Sequence, residues 1–205
     1  EINRYGSAMY FSQFKFESLT EKNKFFKADL MSSFSIRESN NNTKLTKSQP
    51  STSNNYIQNQ EEISQFGDEY RLIKKEELNK LELNGFSFQI NDSIIFQSEY
   101  NLNPYYDLNG VGLLYFASYP VISDLNEAKY FNTKNNTDKR WEESYFISAR
   151  DILYYSNCDL NDTIIYTLNF YKKIDNETIL TSSSLNRKSD NKLMARIFSV
   201  KKKRQ

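Results

Sequence analysis

The chain has 205 residues, with 27 Lys and Arg against 26 Asp and Glu, one Cys and no His. That inventory excludes a Ser-His-Asp triad, a Cys-His dyad, a His general base and the usual zinc and haem sites in this chain acting alone. A lone Cys158 excludes an internal disulfide framework, and a net charge of +1 argues against an electrostatic nucleic-acid binder. No apolar run is long enough for a membrane span, and no signal peptide is visible, so a cytoplasmic protein is expected. The chain opens at Glu1 rather than Met, inside sequence that reads as structured, and a processed or truncated chain is expected.

Period-two alternation predicts two strands near the start. In the stretch from Ala8 to Phe16, Tyr10, Ser12, Phe14 and Phe16 share one face. From Phe25 to Ile36, Phe26, Ala28, Leu30, Ser32, Phe34 and Ile36 do the same, across a polar turn at residues 21–24. Residues 38–60 are rich in Asn, Ser and Thr with Pro50 among them, a composition that predicts a surface loop. Between Glu61 and Leu83 charged residues are interleaved with Ile63, Phe66, Tyr70, Ile73, Leu78 and Leu81, an imperfect helical stripe interrupted by Gly67.

The second half has a clearer plan. A strand is predicted over Asp92–Tyr100, then a turn-rich stretch, then a buried helix over Val111–Ile122 with Val111, Leu114, Tyr115 and Ser118 at spacings of three and four. Four strand-like runs follow, Glu143–Tyr155, Thr163–Lys173, Thr178–Arg187 and Leu193–Lys201, separated by Asn- and Asp-bearing turns. One strand, a helix and four antiparallel strands describe an α+β sheet wrapped around a helix, the hot-dog architecture. The expected organisation is closing strands of a first hot-dog unit over residues 1–45, a linker with a helix over 46–84, and a complete second unit over 85–205.

Candidate chemistry concentrates in residues 103–120, NPYYDLNGVGLLYFASYP. Asp107 and Asn109 could polarise a thioester carbonyl, with Tyr115 as a third candidate catalytic group. Gly110 and Val111, at the expected helix start, would offer backbone N–H groups and the positive end of the helix dipole to an oxyanion. Gly112 would permit close approach of a substrate, and Tyr119 and Arg150 would contact it. The same residues also fit ordinary helix capping and packing, and Arg150 fits an internal ion pair equally well. Cys158 lacks an activating base, and Lys201, Lys202, Lys203 and Arg204 read as a solvated basic end.

The segment NPYYDLNGVGLLYFASYPVISD and the stretch SARDILYYSN followed by Asp162-Thr163 resemble the LnmK-like bifunctional acyltransferase/decarboxylase family of biosynthetic clusters. Arg4-Tyr5-Gly6-Ser7 and Met31-Ser32-Ser33-Phe34-Ser35-Ile36-Arg37 are similar to strands that close that family's first unit. The resemblance implies a double hot-dog fold, its first unit N-terminally incomplete here. It also implies acyl transfer, with or without decarboxylation, between coenzyme A and acyl carrier protein. Asp107 matches the place of an acidic residue before the helix in the thioesterase branch of that superfamily. No metal or separate cofactor is implied, because coenzyme A or phosphopantetheine belongs to the substrate. Acyl-CoA and acyl carrier protein are the expected partners, with neither nucleic acid nor membrane, and a homodimer is compatible with the architecture. The alternatives are a simple acyl-CoA thioesterase and a non-catalytic scaffold that holds an acyl chain or carrier protein.

Overall fold

The computed structural model describes residues 2–5, 9–19, 25–51, 57–60, 65–134 and 140–204. The chain divides into two units, residues 1–71 and 72–205. The polar turn expected at residues 21–24, and Gly6 and Ser7 of the first motif, lie outside the described residues.

The first unit carries β1 (Ile2–Tyr5), β2 (Met9–Leu19), β3 (Phe25–Ser33) and β6 (Ile57–Gln60) in a four-stranded sheet of order β3-β2-β1-β6. β2 and β3 pair antiparallel with Phe14 opposite Leu30 and Phe16 opposite Ala28, so the residues grouped by the sequence alternation face one another across the pair. The second predicted strand ends earlier than expected. Phe34 interrupts it, and β4 (Ser35–Arg37) turns away to form a hairpin with β5 (Leu45–Lys47). The polar segment 38–60 therefore contains short strands as well as loop. Asn41 makes this local: its side-chain oxygen accepts the Thr43 N–H at 2.8 Å and the Thr43 hydroxyl at 2.7 Å. α1 (Gln65–Lys74) runs through the boundary between the units.

The second unit is built on β9 (Phe96–Asn101), α2 (Ser118–Lys134), the single turn α3 (Trp141–Ser144), β10 (Tyr145–Tyr154), β11 (Thr163–Lys173), β12 (Thr178–Arg187) and β13 (Lys192–Lys203). The five strands form an antiparallel sheet of order β10-β13-β12-β11-β9. β9 and β10 are its two edges, so the chain leaves one edge, crosses the sheet as α2 and re-enters at the other. β11, β12 and β13 then fill the middle. This is the α+β hot-dog arrangement expected from the sequence, a central helix held against a wrapped antiparallel sheet.

Period two assigns the faces. Ile164, Tyr166, Leu168, Ile179, Leu185, Ala195 and Ile197 join Tyr119, Ile122, Phe131 and Trp141 in one core between sheet and helix. Phe131 stacks on Trp141 with centroids 3.9 Å apart, joining the end of α2 to α3. The opposite sheet face is covered by the hairpin of β7 (Lys80–Leu83) and β8 (Phe86–Gln89). Its Phe88 meets Phe198 edge-on at 5.7 Å and Phe170 at 6.1 Å, and burying such a side chain contributes about 1.5–3 kcal/mol. Asn84 and Gly85, both at positive φ, make its two-residue turn.

The helix corrects a sequence expectation. It spans Ser118–Lys134 rather than Val111–Ile122. Residues 109–113 form a tight turn in which Gly112 takes φ 78°, a left-handed conformation that a helix does not admit, and Leu108 bridges Leu114 in antiparallel fashion. Pro120 falls in the first turn of α2, where its missing N–H costs no intrahelical bond.

Candidate functional site

The loop between β9 and α2 is organised by three side chains. Asp107 is buried, and its Oδ2 accepts the Tyr100 hydroxyl at 3.0 Å and the Asn103 N–H at 2.7 Å. Its carbonyl accepts the Tyr115 N–H at 2.7 Å and the Ser118 hydroxyl at 3.1 Å, tying the start of α2 to the loop. Burial first, and the Asp107 hydrogen bond and charge second, push the Tyr100 hydroxyl up to about 12. Asn109 Oδ1 accepts the N–H groups of Val111 at 3.1 Å and Leu113 at 3.0 Å. Asn157, in the connector between β10 and β11, pairs with Leu114 as a strand would. Its Oδ1 accepts the Leu114 N–H at 2.8 Å and its Nδ2 donates to the Leu114 carbonyl at 3.2 Å.

These bonds revise the oxyanion expectation for Gly110 and Val111. Neither residue opens the helix, and the Val111 N–H is given to Asn109 rather than aimed at a ligand. Gly112 donates its N–H to the Asn109 carbonyl at 2.9 Å, so its φ serves the turn. Asp107, Asn109 and the two glycines are thus brought together, in a loop whose hydrogen bonds are spent on its own shape.

Tyr115 lies half exposed with its ring edge-on to Phe116 at 4.6 Å. Tyr119 is buried, its hydroxyl donating to the Ser156 carbonyl at 2.8 Å and its ring edge-on to Tyr154 at 5.0 Å. Burial drives its hydroxyl pKa far above the ordinary tyrosine value. Tyr154 hands its hydroxyl proton to the Phe116 carbonyl at 3.1 Å, fixing the residue just ahead of α2. Phe116, just before α2, and Val121 and Leu125 in its first half remain about half exposed.

Arg150 is found in an ion pair within the unit. Its Nη1 donates to Asp124 Oδ2 at 3.0 Å, its Nη2 to Asp124 Oδ1, and its Nε to Ser199 Oγ at 3.0 Å. A second pair lies beside it, with Lys201 Nζ 2.9 Å from Glu127 Oε1 and 3.5 Å from Asp124 Oδ1. Thr181 Oγ1 donates to Glu127 Oε2 at 3.1 Å. Burial pushes the Glu127 carboxyl up, while Lys201 pulls it down. Two carboxylates of α2 thereby meet two cations, one on β10 and one on β13.

Sequence reasoning missed this cluster. Lys201 was read with the basic end, yet alternation along β13 puts Ile197, Ser199 and Lys201 on the helix-facing side. Helix spacing likewise puts Asp124 and Glu127 one turn apart. Asn157 gave no such signal, because its role depends on a loop distant in sequence. Cys158 is fully buried, and its thiol is pushed up to about 12, chiefly by burial. Among the described residues no group of three or more Cys, Asp or Glu is placed to hold a metal ion, and no helix is long and apolar enough to cross a membrane.

No known family's sequence profile matches this chain, and no curated protein matches it in sequence. Among solved structures it is similar to a 1,4-dihydroxy-2-naphthoyl-CoA thioesterase from Synechocystis, at 12% identity and TM-score 0.46 over 52% of this chain and 80% of that one. It is similar to a 4-hydroxybenzoyl CoA thioesterase from Pseudomonas, at 12% identity and TM-score 0.46 over 53% and 83%. It is also similar to a Thermus thermophilus thioesterase complexed with coenzyme A and Zn, at 12% identity and TM-score 0.48 over 55% and 86%.

Proposed function

We propose that the second unit binds acyl thioesters of coenzyme A or of an acyl carrier protein, with the acyl group laid against Phe116, Val121 and Leu125. The observation that carries this reading is the contrast between the N-terminal half of α2 and the loop before it. Apolar side chains stay half exposed there, while the adjoining loop is pinned by Asp107, Asn109 and Asn157. A fixed apolar surface of this kind lowers the ordering cost of holding a flexible chain. Acyl transfer in a bacterial biosynthetic cluster, with a carrier protein as the acyl acceptor or donor, is the reaction that the sequence resemblance adds.

A second reading, a scaffold that binds the acyl group without converting it, is favoured by one specific observation. Asp107 Oδ2 already accepts two hydrogen bonds, Asn109 Oδ1 accepts two, and the Val111 N–H is taken. Incubating the full chain with hexanoyl-CoA while following both melting temperature and thiol release separates the two. A rise in melting temperature with thiol release supports an enzyme, and a rise without release supports a scaffold. No rise with acyl-CoA or acyl-phosphopantetheine carrier overturns the acyl reading.

A further inference from the structure

The pair Arg150 and Asp124 bears on which acyl groups this surface accepts. The Arg150 side chain is 15% exposed and that of Asp124 is 41% exposed, so the pair sits at the margin between core and solvent. On α2, Asp124 follows Val121 by three residues, a spacing that makes the two side chains neighbours on the helix surface, beside the apolar surface assigned above to the acyl group. The guanidinium fork suits a planar carboxylate, and here it holds one supplied by the protein itself, with Ser199 taking the remaining Nε donor. Lys201, the neighbouring cation, is matched by Glu127 and Asp124.

We infer that Asp124 is a specificity-determining residue: it fills the carboxylate fork of Arg150, so that uncharged acyl groups are accepted and ω-carboxylated ones, which find that fork taken, are rejected. An incoming acyl carboxylate reaches the guanidinium only by displacing Asp124, and is otherwise held without a counter-ion. Replacing Asp124 by a neutral side chain leaves Arg150 largely buried without its counter-ion, a site for an acyl carboxylate to fill. The inference rests on the acyl-thioester reading.

The test uses the full chain and two thioesters of equal length, hexanoyl-CoA and adipoyl-CoA, titrated calorimetrically against wild type and Asp124→Asn. The expected result is a preference of at least about tenfold for hexanoyl-CoA in wild type, shrinking by about tenfold or reversing in Asp124→Asn. Equal wild-type affinities overturn the specificity and leave the acyl reading standing, whereas binding of neither thioester overturns both. An unchanged ratio in Asp124→Asn also overturns it. Should that variant not fold, Asp124→Ser is measured in its place, and the wild-type ratio stays decisive by itself.

Discussion

Lys201 Nζ lies 2.9 Å from Glu127 Oε1 across the helix–sheet interface, with the two side chains only 5% and 2% exposed. A pair so sealed from water is costly to halve. Lys201→Met leaves Glu127 as a buried unpaired carboxylate and is expected to destabilise the unit by about 3–5 kcal/mol. Adding Glu127→Leu should recover much of that loss, because no carboxylate is then buried without a cation, Asp124 keeping Arg150. Urea denaturation of both variants and the wild type measures it, and an additive double variant would show that the pair is not coupled.

Asp107→Ala removes the acceptor for the Tyr100 hydroxyl and the Asn103 N–H, so about 2–3 kcal/mol of stability should go with it. A catalytic base on the surface would instead lose rate at unchanged stability. Denaturation and thiol-release assays on the same preparation tell the two apart.

The balance between legible and hidden features follows from the helix. Strands β11 and β12 fall where the sequence places strand-like runs, because Asn- and Asp-bearing turns bound them at both ends. α2 defeats the same logic. Its buried residues are Ser118, Tyr119, Ile122, Ser123, Asn126, Glu127 and Phe131, four of the seven polar. These are satisfied by distant partners, as in Ser123 with Ser183 and Asn126 with Ser98, so no apolar stripe marks the helix. The apolar run just before it, Val111–Phe116, imitates a stripe but is turned by Asn109 and Gly112. The site shared this fate: Asp107 and Asn109 are conspicuous as residue types, while their bonds to backbone are visible only in three dimensions. For Arg150 the sequence allowed two uses and the fold realises the internal pair.

Alkaline pH should weaken the fold. Burial, aided by Asp162, holds the Cys158 thiol up at about 12 against an ordinary value of 9.0, and burial raises the Tyr154 hydroxyl to about 12. The folded chain therefore keeps protons that the unfolded chain has lost. Stability present in full below pH 9 is lost as pH rises toward 12. Denaturation midpoints should fall between about pH 9 and about pH 11, with a shallower fall in Cys158→Ala. A midpoint that rises over that range would contradict the assignment. In the native protein at neutral pH, Ellman's reagent should leave Cys158 unmodified until denaturant is added.

Asn157→Ala is expected to cost about 1–3 kcal/mol, since the Leu114 N–H and carbonyl lose their partner where Leu114 is buried. Asn157→Asp tests the geometry further. It keeps the acceptor for the Leu114 N–H but sets a carboxylate oxygen against the Leu114 carbonyl. It should destabilise at least as much, as read by chemical denaturation.

The surface around Val121 and Leu125 is the heart of the functional account. Calorimetric titration of decanoyl-CoA into wild type and Leu125→Asp, with free coenzyme A as the control, tests it most directly. Leu125 is 49% exposed, so the substitution should leave the melting temperature nearly unchanged. The account predicts that decanoyl-CoA binds wild type far more tightly than coenzyme A does, and that Leu125→Asp weakens decanoyl-CoA by at least about tenfold. Undiminished binding to the variant, or equal binding of coenzyme A and decanoyl-CoA to wild type, would contradict it.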